Sequence, residues 1–156
     1  MKKILFALLG AAVIVSCATP LSNPSYTERQ TEGISVGMDG KETVRAVAKG
    51  RDKVDAIQQC MKKAVYDVTF KGITSGSTTV DSRPVLSNPM LRDRYEDYFN
   101  LFFADGGDFM QYVSLDNQKK STVKVYKNKE FCAVDMILVV DRAGLRNRFI
   151  HDNILK

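Results

Sequence analysis

The chain has 156 residues, 44% of them hydrophobic and 26% charged, which is enough for one small globular domain and little more. Lys and Arg number 23 against 18 Asp and Glu, a formal charge of +5 at pH 7. That excess is scattered: Lys62-Lys63 and Lys119-Lys120 are isolated pairs that read as solvated faces, and no basic run is long enough to form a nucleic-acid patch. Nucleic acid is therefore not an expected partner.

Met1-Lys2-Lys3 opens the chain, and an apolar run from Ile4 to Val15 follows. A basic start, a short apolar segment and small residues at its end make a secretory signal. The run is shorter than the roughly 20 apolar residues that a spanning helix needs. Ile14-Val15-Ser16-Cys17 resembles the lipobox of bacterial lipoproteins. The resemblance implies that residues 1–16 are a signal peptide, cut before Cys17, and that Cys17 carries the acyl chains. Each buried CH2 of such a chain contributes about 0.8 kcal/mol, so three chains hold a protein on a membrane where one holds it only marginally. In that family an aspartate after the cysteine favours the inner membrane. Ala18 stands there instead, which implies an outer-membrane anchor facing the periplasm. Loss of Lys2 and Lys3 would leave 21 basic against 18 acidic residues, or +3.

Residues 17–41 contain Pro20, Ser22, Asn23, Pro24 and Ser25 with little periodicity, and are expected to be a lipidated tether. Residues 42–156 are expected to form one domain. Thr43 to Ala48 alternates apolar and polar residues as a strand does, and Gly50 ends it. From Arg51 to about Phe70, Val54, Ile57, Met61, Ala64, Val65 and Val68 recur at helical spacing, with Cys60 beside them. Lys71-Gly72 closes that helix.

Ser75 to Pro89 is rich in Gly, Ser, Thr, Asn and Pro and predicts a long loop. A second helix is predicted from about Leu91 to Ala104, with Tyr95, Tyr98, Phe99, Phe102 and Phe103 on one broad aromatic face. Such a face either packs its own cluster against the sheet or meets a partner, since Tyr and Phe concentrate at interfaces. Asp105-Gly106-Gly107-Asp108 is a turn without the ligand series of a calcium loop.

Ser121–Tyr126 and Phe131–Val140 predict a hairpin about Lys127-Asn128-Lys129. The second strand has Cys132, Val134, Met136, Leu138 and Val140 on one face and Phe131, Ala133, Ile137 and Val139 on the other, as a central or covered strand has. Asp141 can cap a last helix that turns Leu145, Phe149 and either Ile150 or Ile154 inward. The order is strand, helix, helical aromatic insert, hairpin, helix. That order predicts an α+β fold, with helices packed on a small, mainly antiparallel sheet.

Ala48 to Ile57, continuing through Ala64-Val65 to Phe70-Lys71-Gly72, resembles one module of bacterial envelope proteins. It is similar to the small outer-membrane lipoproteins related to the N-terminal module of flagellar assembly protein T. The likeness covers about residues 43–72 and, weakly, the closing hairpin. It implies an envelope assembly or accessory role and supplies no catalytic residues. The insert, about residues 73–120, has no counterpart in that module.

The residues themselves give little footing for an enzyme. His151 is the only histidine, so no ordinary zinc set exists. No serine or threonine sits in a nucleophile elbow, and no glycine loop has phosphate-cradling spacing. Asp93, Glu96 and Asp97 read as a solvated helix face. No cofactor or metal is expected. Cys60 and Cys132 would meet an oxidising compartment, where pairing is open to them. A helix on a sheet keeps its backbone about 10 Å away, beyond the roughly 4.4–6.8 Å that a disulfide spans, so two buried thiols are the expectation.

The expected function is that of a membrane-anchored, non-catalytic accessory or assembly subunit of a cell-envelope or secretion complex, with an envelope protein as partner. The alternative is a periplasmic small-ligand or cell-wall-binding module with a pocket between the insert and the sheet.

Overall fold

A computed structural model of the chain describes residues 30–116, 123–127 and 131–156. The signal segment, Cys17 and most of the expected tether lie outside the described residues, as do Lys119-Lys120 and the turn at Asn128-Lys129. In chain order the elements are β1 (Glu32–Val36), β2 (Lys41–Gly50), α1 (Lys53–Tyr66), β3 (Ser75–Gly76), α2 (Met90–Arg94), α3 (Glu96–Phe102), β4 (Val113–Leu115), β5 (Val123–Lys127), β6 (Cys132–Asp141) and α4 (Arg142–His151). A π turn over Asp67–Lys71 prolongs α1, and a 3-10 turn over Asp108–Tyr112 leads into β4.

The sheet is built around β6. All ten of its residues pair antiparallel with β2, from Lys41 opposite Asp141 to Gly50 opposite Cys132. Its other edge is shared end to end: β4 pairs with Leu138–Val140 and β5 with Cys132–Met136. β1 lies antiparallel on the far edge of β2, and the short β3 runs parallel to β1. The fold is α+β, with a six-stranded, mainly antiparallel sheet and helices packed against it.

One expected boundary is corrected. The expected tether, residues 17–41, contains β1, so the folded domain begins near Thr31 rather than at residue 42. A register shift between Gly33 and Ser35 breaks the two-residue alternation by which a strand is recognised. The insert, about residues 73–120, contributes β3 and β4 to the sheet.

Helix α1 starts where Asp52 accepts hydrogen bonds from the Val54 and Asp55 amides, at 2.8 and 2.9 Å. Its buried line is Ala56, Cys60 and Ala64, four residues apart, joined by Val65 and by Val68 of the π turn. Val54, expected on that face, is 68% exposed, while Ile57 and Met61 are half-buried at its margins. The small residues decide the contact line, because they let the helix lie close on Ala46 and Gly50 of β2. A Cβ on Gly50 would stand 2.2 Å from the Ala56 nitrogen. Gly50→Val is therefore expected to cost about 3 kcal/mol through overpacking, measured by urea unfolding.

The hydrophobic core joins α1, the inward face of β6 and α4, where Leu145 and Phe149 are fully buried. Asp141 caps α4 by accepting from the Gly144 amide at 2.7 Å. Ile154, not Ile150, completes the buried set, brought round by Asn153 in the left-handed conformation at φ 58°.

Cys60 and Cys132 are both free and buried, and the Cys60 thiol donates to the Ala46 carbonyl at 3.2 Å. Burial pushes the Cys60 thiol up to about 12. Neither thiol is expected to take up iodoacetamide in the native protein, and both should react in denaturant without reductant. A mass shift at neither position in denaturant would mean that they are paired.

Candidate functional site

The expected second helix is broken. Tyr95 (φ −116°, ψ 36°) separates α2 from α3, where one helix was expected from Leu91 to Ala104. The bend goes with two anchors on the chain end: the Tyr95 hydroxyl donates to the Asn153 carbonyl at 3.3 Å, and the Tyr98 hydroxyl to the Asp152 carboxylate at 2.6 Å. Phe99 and Phe102 are 5% and 3% exposed and pack their rings on Phe149, with centroids 5.8 and 5.7 Å away. Of the five aromatic residues singled out in the sequence, these two belong to the core and present no surface to a partner. Tyr95 and Tyr98 are half-buried and held by hydrogen bonds, and Phe103 is half-buried. Phe103 faces a groove.

That groove, about 480 Å3 in volume, runs between α1 with its π turn on one side and α2 with α3 on the other. Its floor is aromatic. Tyr66 and Phe70 meet at 4.9 Å between centroids, Phe103 stands edge-on to Tyr66 at 5.7 Å, and Phe70 continues inward to Phe99 at 4.9 Å. Its walls carry Lys62, Lys63, Lys71 and Arg92.

The π turn builds the inner end of the site. The Gly72 amide donates to the Asp67 carbonyl at 2.7 Å, an i to i+5 bond, and the wider turn brings Asp67, Phe70 and Lys71 together on the groove. Gly72 takes φ 75° there, and a Cβ on it would stand 2.0 Å from the Ser82 carbonyl oxygen. Residues 85 and 86 close over the turn through amide bonds to the Val68 and Thr69 carbonyls, at 3.0 and 2.9 Å.

Asp67 is 4% exposed and is the electrostatic centre. It accepts from the Thr31 hydroxyl at 2.5 Å and from the Lys63 ammonium at 2.7 Å, and Lys71 lies 3.1 Å from its other oxygen. Burial pushes its pKa up, but the bonds from Lys63, Thr31 and Lys71 outweigh that, and the net shift is downward. The remaining cations are Lys62 and Arg92. Lys62 is bound by Asp105 at 2.7 Å. The Arg92 guanidinium lies 5.4 Å from the Tyr66 centroid and 6.0 Å from that of Phe70, and Lys71 is 5.4 Å from the Tyr66 centroid. No described carboxylate lies within ion-pair distance of Arg92.

Other charged groups noted in the sequence serve the fold or lie outside it. Asp108, from the acidic turn, pairs with Arg148 at 3.1 Å. His151 is exposed beside Asp152, and Asp93, Glu96 and Asp97 are exposed on α2 and α3. A smaller hollow of about 260 Å3 is lined by Arg83, Arg142 and Arg146. There Arg142 donates to the Arg83 carbonyl at 2.5 Å and stands 3.3 Å from Asp81 and 3.5 Å from the buried Glu42, so its charge is used internally. Burial raises the Glu42 pKa despite that arginine.

The groove was not foreseen. Lys62-Lys63 read as a solvated pair. The missed signal is that Lys62, Lys63, Tyr66, Phe70 and Lys71 recur at three- and four-residue spacing, a basic and aromatic stripe beside the apolar one. Comparison of the chain with family models, with curated proteins and with solved structures returns no match.

Proposed function

We propose that this chain is a membrane-anchored, non-catalytic accessory subunit of a cell-envelope or secretion assembly, and that it meets its envelope partner in the groove between α1 and the insert. The anchor would be acyl chains on Cys17 at the periplasmic face of the outer membrane, with the chain up to Thr31 as spacer. What supports the anchor is the run from Lys2 to Ala18. What carries the docking role is the groove itself, an exposed cationic and aromatic trough whose Arg92 meets no described carboxylate. The groove offers charge and ring edges, and its lysines are held by Asp67 and Asp105 rather than poised beside a nucleophile.

Mild crosslinking in cells, followed by recovery of the anchored chain, tests this function. One envelope protein in near-stoichiometric amount is the expected result, lost together with membrane association in Cys17→Ser. Recovery of self-adducts alone would overturn it. A second function is favoured by the groove's size, since small-molecule sites run from about 300 to 1,000 Å3. A ligand- or wall-binding module would use this same groove, placed against α1 rather than against the sheet. Retention on isolated peptidoglycan would select that module.

A further inference from the structure

We infer that the groove takes an acidic, extended peptide segment of the partner, with carboxylates on its cationic walls and an apolar side chain between them. The inference rests on the docking role proposed above and names its chemistry. Four cations line the trough against two carboxylates, Asp67, which already meets Thr31, Lys63 and Lys71, and Asp105, which holds Lys62. The net field at the opening is positive and favours an anion.

Shape separates the classes of anion. The lining runs from Gln59 to Lys71 along α1 and the π turn, twelve steps that at about 1.5 Å each span about 18 Å. An extended strand rises about 3.3 Å per residue, so roughly five residues fill that length. A compact anion such as phosphate would occupy a fraction of it.

The rings argue against a sugar. Stacking a pyranose needs a bare aromatic face, and Arg92 lies near the Tyr66 and Phe70 rings while Lys71 lies near Tyr66. The Arg92 guanidinium meets no described carboxylate and is open to an acidic group, as in arginine-based recognition of acidic motifs. Asn100 on the facing wall offers an amide to a peptide backbone, and Leu101 beside it in sequence is 75% exposed, an apolar neighbour for the segment.

The test uses the full chain in uncharged detergent and a fluorescein-labelled hexapeptide of alternating Glu and Leu, read by anisotropy. Binding is expected to weaken as salt is raised and to vanish when every Glu of the peptide is replaced by Gln. Arg92→Glu is expected to weaken it by about tenfold or more, the ratio that goes with one charge-assisted contact. Asn100→Glu, on the facing wall, should act in the same direction, while Arg146→Ala on α4 should leave affinity unchanged. Equal binding of the Gln peptide, or indifference to Arg92→Glu in a protein with unaltered thermal unfolding, overturns the inference. If cells yield a stoichiometric partner while the acidic peptide is ignored, docking stands and the acidic chemistry falls. If the peptide binds as expected while cells yield no partner, the chemistry stands and the accessory role falls.

Discussion

Phe149→Ala is expected to lower the stability of the domain by about 3–5 kcal/mol, the cost of emptying a fully buried aromatic site. Phe149 is fully buried on α4 and touches three rings of the insert, Tyr98, Phe99 and Phe102, with centroids 6.5, 5.8 and 5.7 Å away. The neighbours cannot collapse into the space freely, because Tyr98 is also tied to Asp152 and the sheet lies beneath. The same change should reach the groove, since Phe99 carries Phe70 at 4.9 Å and α3 forms one wall. Urea unfolding reads the stability, and the anisotropy assay reads the groove. A loss under about 1 kcal/mol would mean that the insert is not joined to the core in this way.

Asp67→Ala is expected to cost about 3 kcal/mol at neutral pH, less than a fully enclosed pair because Lys63 and Lys71 reach solvent. It removes the acceptor of the buried Thr31 hydroxyl and the countercharge of two lysines. Thr31 lies just ahead of β1, so the start of the domain loosens with the groove.

The pH profile carries the same signature. A carboxylate whose folded pKa lies below its unfolded value near 4 adds stability that is complete above that value and is lost as pH falls through the folded one. Asp67 is shifted in that direction. Two others are lowered to about 2: Asp55, chiefly by the Arg51 amide, and Asp152, where burial is outweighed first by the Tyr98 hydroxyl. Stability of the parent chain should therefore fall between about pH 4 and pH 2, and the acid limb of Asp67→Ala should be shallower. Glu42 works the other way, since burial raises its pKa and protonation relieves it. An unchanged acid limb in Asp67→Ala would contradict the assignment of Asp67 as the hub.

Much of the frame was legible in the sequence because each element carried its own period and punctuation. β6 shows two apolar faces, and β2 ends at Gly50. α4 is capped by Asp141. Three things were hidden for physical reasons. β1 carries a bulge and a glycine, so its alternation fails within five residues. The break at Tyr95 leaves no local mark, because hydroxyl contacts to Asp152 and Asn153, far along the chain, accompany it. The aromatic face of the insert showed helical spacing but not which side would be covered, and the core took Phe99 and Phe102. The groove escaped notice because a lysine on a helix looks solvated until another element stands opposite. Here α2 supplies that element with Arg92.

Occupation of this groove by a partner is read by a photo-crosslinking amino acid placed at Asn100, on the wall of the groove. In cells carrying the full chain, illumination should give one discrete adduct from position 100 and none from position 146, and Arg92→Glu should abolish it. Equal adducts from both positions, or an adduct indifferent to Arg92→Glu, would mean that no partner sits in the groove.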